Sequence, residues 1–293
     1  MTQPQNAIFN EQSQSYHHLE YKLKDNVYLA NIQSALQTAL CKQTNDINIV
    51  IAFGRSATNT LLPDLQLTAF DDFTEIASPH GKKAIANQGD IMFWIHSDNA
   101  SHTLEQAFHI QSALSKIADT QLDISGFQYH KNRDLIGFVD GTANPKEDAR
   151  QLASLIPTGQ PGAGGSFVLS QKWVHDLSSF NAMPVPEQEA VVGRTKKDDI
   201  ELSGDAMPAN SHVSRTDVSG MKIYRRSSPY GNASEHGLYF LAFACEQLRF
   251  TTQLQRMYGI PDGVTDRLID YSDAVTGSYW FAPSQTELDR LMN

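Results

Sequence analysis

The chain has 293 residues, 40% of them hydrophobic and 19% charged, which suits one large folded domain or two of ordinary size with a proper core. Its 23 Lys and Arg against 33 Asp and Glu leave a formal charge of −10, so the basic footprint that a nucleic-acid partner requires is missing. Two cysteines make neither a disulfide framework nor a zinc set; Cys41 falls in a helical pattern and Cys245 in an apolar stretch, so both read as buried thiols. No apolar run approaches the length of a membrane span, and residues 1–6 lack the basic and apolar regions of an export signal. A cytoplasmic protein with no membrane partner is the expectation.

Taken in chain order, residues 16–23 predict a strand and residues 26–40 a helix, with Leu29, Ile32, Leu36, Ala39 and Leu40 at helical spacing. Residues 47–53 are a β-rich run closed by Gly54. A weaker strand is expected from the alternation of Leu65, Leu67 and Ala69. The nearly all-apolar run 90–95 reads as a central strand. Ser101 is a plausible N-cap for a helix with Leu104, Ala107, Phe108, Leu114 and Ile117 on one face. Residues 122–128 close the set as a strand. With the four stronger strands counted, the order is β-α-β-β-α-β, the ferredoxin-like unit.

A Gly/Pro-rich segment, residues 157–165, follows, and after it the order recurs. Strands are predicted at 166–173, 211–218, 222–226, 238–244 and 279–282, with helices near 175–180, 186–194 and 246–257. The expected fold is α+β. Two ferredoxin-like halves, residues 1–150 and 151–293, set antiparallel sheets face to face with peripheral helices. Such halves leave a cleft at their junction, a usual place for a cofactor.

The stretch Ile136-Gly137-Phe138-Val139-Asp140-Gly141-Thr142-Ala143-Asn144-Pro145 holds one acid between apolar residues and a turn. With Ile136, Phe138 and Val139 buried, Asp140 enters the turn from a dry side. It either caps the turn, with Thr142 and Asn144, or does proton chemistry. A phosphatase-type Asp-Gly-Thr loop needs a nucleophilic carboxylate two positions earlier, where Phe138 stands, so that reading fails.

His212 lies on a predicted strand, and one neutral imidazole is enough to hold a haem iron, although most histidines are structural. Arg215, three residues on, could neutralise a carboxylate or simply form a surface ion pair. Arg225 and Arg226 are adjacent on a predicted strand, so they point to opposite faces. One can aim inward, beside a buried carboxylate.

Gly137-Phe138-Val139-Asp140-Gly141, residues 166–177 (SFVLSQKWVHDL), Val192-Gly193-Arg194-Thr195-Lys196, Ser211-His212-Val213, Arg225-x-Ser227-x-Pro229-Tyr230-Gly231 and residues 276–284 (TGSYWFAPS) are each weak alone. In this order and at these separations, the chain resembles the dye-decolorising peroxidases over nearly all its length. The bacterial type, with the iron-assimilation and encapsulated peroxidases, is the nearest group.

The resemblance implies one b-type haem per chain, with His212 as proximal iron ligand. It implies hydrogen peroxide and a small organic reductant, such as a dye or phenol, as partners, and a homo-oligomer, a dimer or larger. Asp140 would shuttle the peroxide proton, and Arg225 would stabilise the departing oxygen. Asp266 would accept the N–H of His212, with Asp262, Asp270 and Asp273 as neighbouring acids. Arg215 would face a propionate, Ser227 would be the small polar residue over the haem, and Phe240 would wall the peroxide side. Tyr129, Tyr230, Trp173 and Tyr239 are candidate electron carriers, with ordinary packing as the alternative. A haem-handling or haem-storage protein is the rival function, disfavoured by the joint presence of Asp140 and Arg225. Encapsulin cargo is disfavoured by the lack of a targeting tail after Pro283.

Overall fold

A computed structural model describes residues 2–41 and 46–293; Met1 and residues 42–45 lie outside it. The first half runs β1 (Ser15–Leu23), α1 (Leu29–Leu40), β2 (Asn48–Phe53), α2 (Arg55–Leu61), a two-residue hairpin of β3 (Ile76–Ala77) and β4 (Lys83–Ala84), β5 (Ile91–Ser97), α3 (Ala100–Leu114) and β6 (Ala118–Phe127). After α4 (Asp148–Ser154) the second half runs β7 (Ser166–His175), α5 (Leu177–Ala182), α6 (Val185–Val192), α7 (His212–Thr216), β8 (Tyr224–Arg225), β9 (Ser228–Gly231), β10 (His236–Ala244), α8 (Leu248–Met257), β11 (Ser272–Ala274), β12 (Ser278–Ala282) and α9 (Gln285–Met292).

Each half has the expected ferredoxin-like strand order. In the first it is β2-β5-β1-β6, and in the second β12-β7-β10-β9, all pairs antiparallel. The two sheets also meet at both edges, through Phe281 opposite Phe53 and Gly126 opposite Tyr230. They therefore close into a barrel, which removes the exposed sheet edges. Gly126 permits one of these closures, because a Cβ there would stand 2.4 Å from Ser228 Oγ.

Alternation along each strand sends one set of side chains into the barrel and the other toward the helices. On β1, Leu19 and Tyr21 join the core under α1 and α3. Facing into the barrel, Met92, Trp94, Val168, Tyr239, Phe243 and Trp280 form a second core. The arginine pair divides as the strand period requires. Arg225 lines a cavity outside the barrel, whereas Arg226 lies over the Trp94 ring at 4.9 Å and donates to Ile8 O and Asn10 O.

Several expectations are corrected. Residues 65–69 form no strand; the segment is a single turn of 3-10 helix, Pro63–Leu65, followed by Gln66 at φ 39°. On α3 the N-cap is Asn99, whose side chain accepts from Ser101 N, and Leu104 and Phe108 are exposed at 41% and 62%. Their spacing matches the buried face only approximately, and Thr103, Gln106 and Ile110 take the inward positions. Cys41 is exposed, Cys245 is buried, and the two are free thiols. Residues 211–218 are not a strand but a helical turn: Ser211 caps it by accepting from Ser214 N, and His212 is its first residue. The weak strand pattern of residues 211–218 does not overrule a capping serine.

Candidate active site

A cavity of about 350 Å³ lies between the outer face of β7 and β10, helices α7 and α8, and the loop that carries Asp140. That volume falls within the range of cofactor and ligand pockets. Leu169, Trp173, Val192, Val213, Ile223, Leu238, Phe240, Phe250, Leu254 and Met257 give it a mostly apolar wall. His212, Asp140 and Arg225 open into the same cavity from three different elements.

On one element, His212 Nδ1 lies 2.6 Å from Asp266 Oδ2, and Asp266 is fully buried. The other carboxylate oxygen of Asp266 accepts from Leu268 N at 2.8 Å. A carboxylate at Nδ1 fixes the proton on that nitrogen and leaves the Nε2 lone pair for the cavity. Of the neighbouring acids, Asp262 is taken by Arg215 and Asp273 by Lys82.

The Asp140 loop is tightly built. Asp134 N donates to Phe138 O, Gly137 N to Asp134 O and Asp140 N to Asn132 O, each at 2.8 Å. Gly137 turns the chain at φ 93°, a conformation that favours glycine. Arg133 braces the loop by donating to Gly137 O and Lys196 O. Lys196 sits over the rings of Phe138 and Phe180, where burial, with help from Arg133, lowers its pKa. Ile136 and Phe138 are buried as expected, whereas Val139 is only partly so and lines the cavity.

Asp140 Oδ1 accepts from Gly141 N at 2.7 Å and stands 4.0 Å from Arg225 Nη2. Asp140 Oδ2 has no hydrogen-bond partner among the described residues. Arg225 is held by its backbone. Asn144 Nδ2 donates to Arg225 O at 2.8 Å, and Arg225 N donates to Asn144 Oδ1 at 3.0 Å. Asn144 thus acts as a strand partner to β8 and does not cap its own turn. Thr142 donates outward to Asp199. The Arg225 guanidinium makes no hydrogen bond to protein among the described residues, so its donors are available to whatever enters.

The remaining expected residues divide. Phe240 lines the cavity. Ser227 is absent from its lining, and its Oγ accepts from Leu241 N at 3.4 Å. Arg215 is also absent from the lining and is corrected to a structural role. It is 4% exposed, and it binds Asp262 through both terminal nitrogens and Arg256 O through Nε and Nη2. Arg215 in turn holds the Asp262 carboxyl below the usual carboxylate range. Of the candidate carriers, Trp173 lines the cavity, Tyr230 donates to Trp173 O, and Tyr239 is buried in the barrel.

Three wall residues of β7, Leu169, Gln171 and His175, had not been expected at the site. On β7 the cavity face runs Leu169, Gln171, Trp173 and His175. Gln171 is 1% exposed, and its Nε2 has no hydrogen-bond partner among the described residues. His175 joins Ser272 Oγ at 2.7 Å to Asp134 at 3.2 Å, which ties the Asp140 loop to the second sheet. Gln171 and His175, four residues apart and so on one strand face with Leu169 and Trp173, were the available signal.

The family model described as "Dyp-type peroxidase, N-terminal" matches residues 5–128, and that described as "Dyp-type peroxidase, C-terminal" matches residues 131–287. The chain belongs to the Dyp-type peroxidase family. A dye-decolorizing peroxidase of Mycobacterium tuberculosis is 37% identical over 84% of this chain and 76% of its own length. The dye-decolorizing peroxidase structure from Bacteroides thetaiotaomicron is 30% identical, with a TM-score of 0.90 over 100% of this chain and 99% of that one. A DypB variant of Rhodococcus jostii in complex with heme is also 30% identical, with a TM-score of 0.89 over 99% and 98% of the two chains. The protein is accordingly a haem-dependent peroxidase, an oxidoreductase that acts on peroxide and a reductant. No helix among the described residues is long and apolar enough to cross a membrane.

Proposed function

We propose that this peroxidase binds one haem b in the 350 Å³ cavity, with His212 Nε2 as the iron ligand and with Asp140 and Arg225 as the groups that act on hydrogen peroxide. One observation carries the assignment. A histidine oriented by a buried carboxylate and an acid–arginine pair with unspent hydrogen-bonding capacity line the same apolar cavity. The fit to haem rests on that donor set. A single imidazole with a free Nε2, set in aliphatic and aromatic walls, suits a flat apolar macrocycle bound through one nitrogen. The unpartnered Gln171 Nε2 offers a donor to a polar substituent of the ring.

Haem, when bound there, supplies the redox chemistry with peroxide and donor. The protein supplies orientation, charge and proton movement. Asp266, by accepting the N–H of His212, raises the basicity of the imidazole and fixes its ring. Asp140 Oδ2, free of protein partners, takes a proton from one peroxide oxygen and returns it to the other, directly or through one water. Arg225 stays charged throughout, so it stabilises developing negative charge on the departing oxygen without exchanging protons. The 4.0 Å gap between Asp140 and Arg225 is too long for a direct hydrogen bond and leaves both groups to engage the substrate.

A haem carrier would have no use for this pair, so catalysis is the reading we adopt. The free thiols of Cys41 and Cys245 support a reducing, cytoplasmic compartment. The exposed Leu104 and Phe108 support self-association. An absorption spectrum tests the cofactor assignment. The purified protein is expected to show a Soret band that changes with one equivalent of hydrogen peroxide, and His212→Ala is expected to lose haem. A His212→Ala protein with the parent spectrum would remove His212 as ligand.

A further inference from the structure

Behind the wall of the cavity, inside the barrel, lies a second set of chemically active groups that the peroxide step does not use. Leu238 and Phe240 of β10 line the cavity, so the residue between them, Tyr239, points the other way and is fully buried. Its Oη donates to Glu20 Oε1 at 2.6 Å. Glu20 lies on β1 and is also fully buried. The same oxygen accepts from Ser170 Oγ at 2.7 Å, and Ser170 in turn accepts from Trp280 Nε1 at 2.8 Å. The imidazole of His18 stacks on the Tyr239 ring with centroids 3.9 Å apart.

A buried carboxyl is costly unless a cation or enough donors offset it. Glu20 makes no ion pair among the described residues, and Glu20 Oε2 has no hydrogen-bond partner. The register of β1 against β6 shifts directly after Glu20, an irregularity of the kind often found beside functional positions. Apolar side chains would fill the barrel more stably, so a carboxyl bonded to a phenol calls for another explanation. Burial pushes both the Glu20 carboxyl and the Tyr239 phenol upward, so Glu20 is a stronger base than an ordinary carboxylate and Tyr239 keeps its proton at rest.

We infer that Tyr239 is a redox-active tyrosine whose proton passes to Glu20. This inference rests on the proposed haem site. In the step, Tyr239 gives one electron through the wall of β10 to the cofactor after peroxide has oxidised it. The phenolic O–H bond breaks, and its proton moves along the existing hydrogen bond to Glu20 Oε1. The products are a neutral tyrosyl radical and a protonated Glu20, with hydrogen peroxide as the oxidant. An electron from the organic donor returns Tyr239 to the phenol and recovers the proton. Because the proton moves only between two hydrogen-bonded oxygens, no charge is left uncompensated on the ring. Full burial keeps the radical from bulky molecules, so the pair holds an oxidising equivalent and does not meet the donor directly.

The test is freeze-quench electron paramagnetic resonance on the haem-loaded protein, mixed with one equivalent of hydrogen peroxide and no donor. A tyrosyl signal is expected, and it should narrow when tyrosine deuterated at the β-carbon is incorporated. Tyr239→Phe removes only a hydroxyl and should abolish that signal while the Soret band stays unchanged. Glu20→Gln keeps an acceptor oxygen but cannot take the proton, and should lower the signal at least about tenfold with Tyr239 still present. A parent protein without a tyrosyl radical, or a Tyr239→Phe protein with the parent signal, overturns the inference. An undiminished signal in Glu20→Gln overturns the proton transfer. A missing Soret band in the parent would instead strike at the haem reading, so the two failures are distinguishable.

Discussion

Replacing Asp266 by Asn tests how the haem ligand is set. The side chains are nearly isosteric, but Asp266 accepts two hydrogen bonds, from His212 Nδ1 at 2.6 Å and from Leu268 N at 2.8 Å. An amide has one acceptor oxygen and one donor nitrogen. If its oxygen stays on Leu268 N, its NH2 faces His212 Nδ1, and the imidazole must shift its proton to Nε2, the nitrogen needed for iron. If the amide turns round, two donors meet at Leu268. Either way, one charge-assisted hydrogen bond is lost, about 1.5–3 kcal/mol. At about 1.4 kcal/mol per decade, that is roughly 10- to 100-fold in haem affinity, the size usual for partners behind a metal ligand. Haem titration of the cofactor-free protein, followed at the Soret band, measures it directly. The reduction potential should also rise, because a neutral amide pushes less electron density onto the imidazole. Haem affinity and potential both equal to the parent's would refute the reasoning, since Asp266 would then not govern the state of His212.

Asp140→Ala and Arg225→Ala should each keep haem and slow the peroxide-dependent absorbance change in stopped flow by roughly 10²–10⁴-fold; parent rates in both would sink the assignment of the pair. Asn144→Ala removes both backbone bonds to Arg225 and should cost about 1–3 kcal/mol, a drop of a few degrees in Tm by calorimetry, together with slower peroxide reduction. An effect on Tm alone would show that Asn144 holds the fold but does not aim Arg225. His96 is stacked on Trp94 and bonded to Ser13 Oγ and Ala7 O, and burial lowers its pKa to about 3. The unfolded chain binds that proton near pH 6.5, so stability is complete above this value and falls as pH drops toward about 3. His96→Gln should flatten the pH dependence of stability in that window by about one proton; an unchanged slope would place the acid sensitivity elsewhere.

Strand and helix periods, the Gly/Pro segment at 157–165 and the order of the motifs were enough to read two ferredoxin-like halves and the family. The loop around Asp140 was legible because an acid among Ile136, Phe138 and Val139 is out of place in an apolar run. The two-residue period also divided Arg225 from Arg226 correctly. What local pattern cannot carry is partnership across the fold. His212 and Asp266 are 54 residues apart, and nothing in the spacing distinguishes Asp266 from Asp262. Only the packing of α7 against α8 gives Asp262 to Arg215 and leaves Asp266 for the imidazole. Asn144 read as a turn residue and became a partner of β8, because the loop comes to rest against that strand. Glu20 was an unremarkable residue of its strand, and Tyr239 only one of four candidate carriers, until closure of the barrel put their oxygens 2.6 Å apart. The chain determines by its periods which elements form and which faces they bury. Which charged group neutralises which, and so which are left free for chemistry, is decided only by long-range packing, because hydrogen bonds and ion pairs depend on distances that sequence separation does not encode.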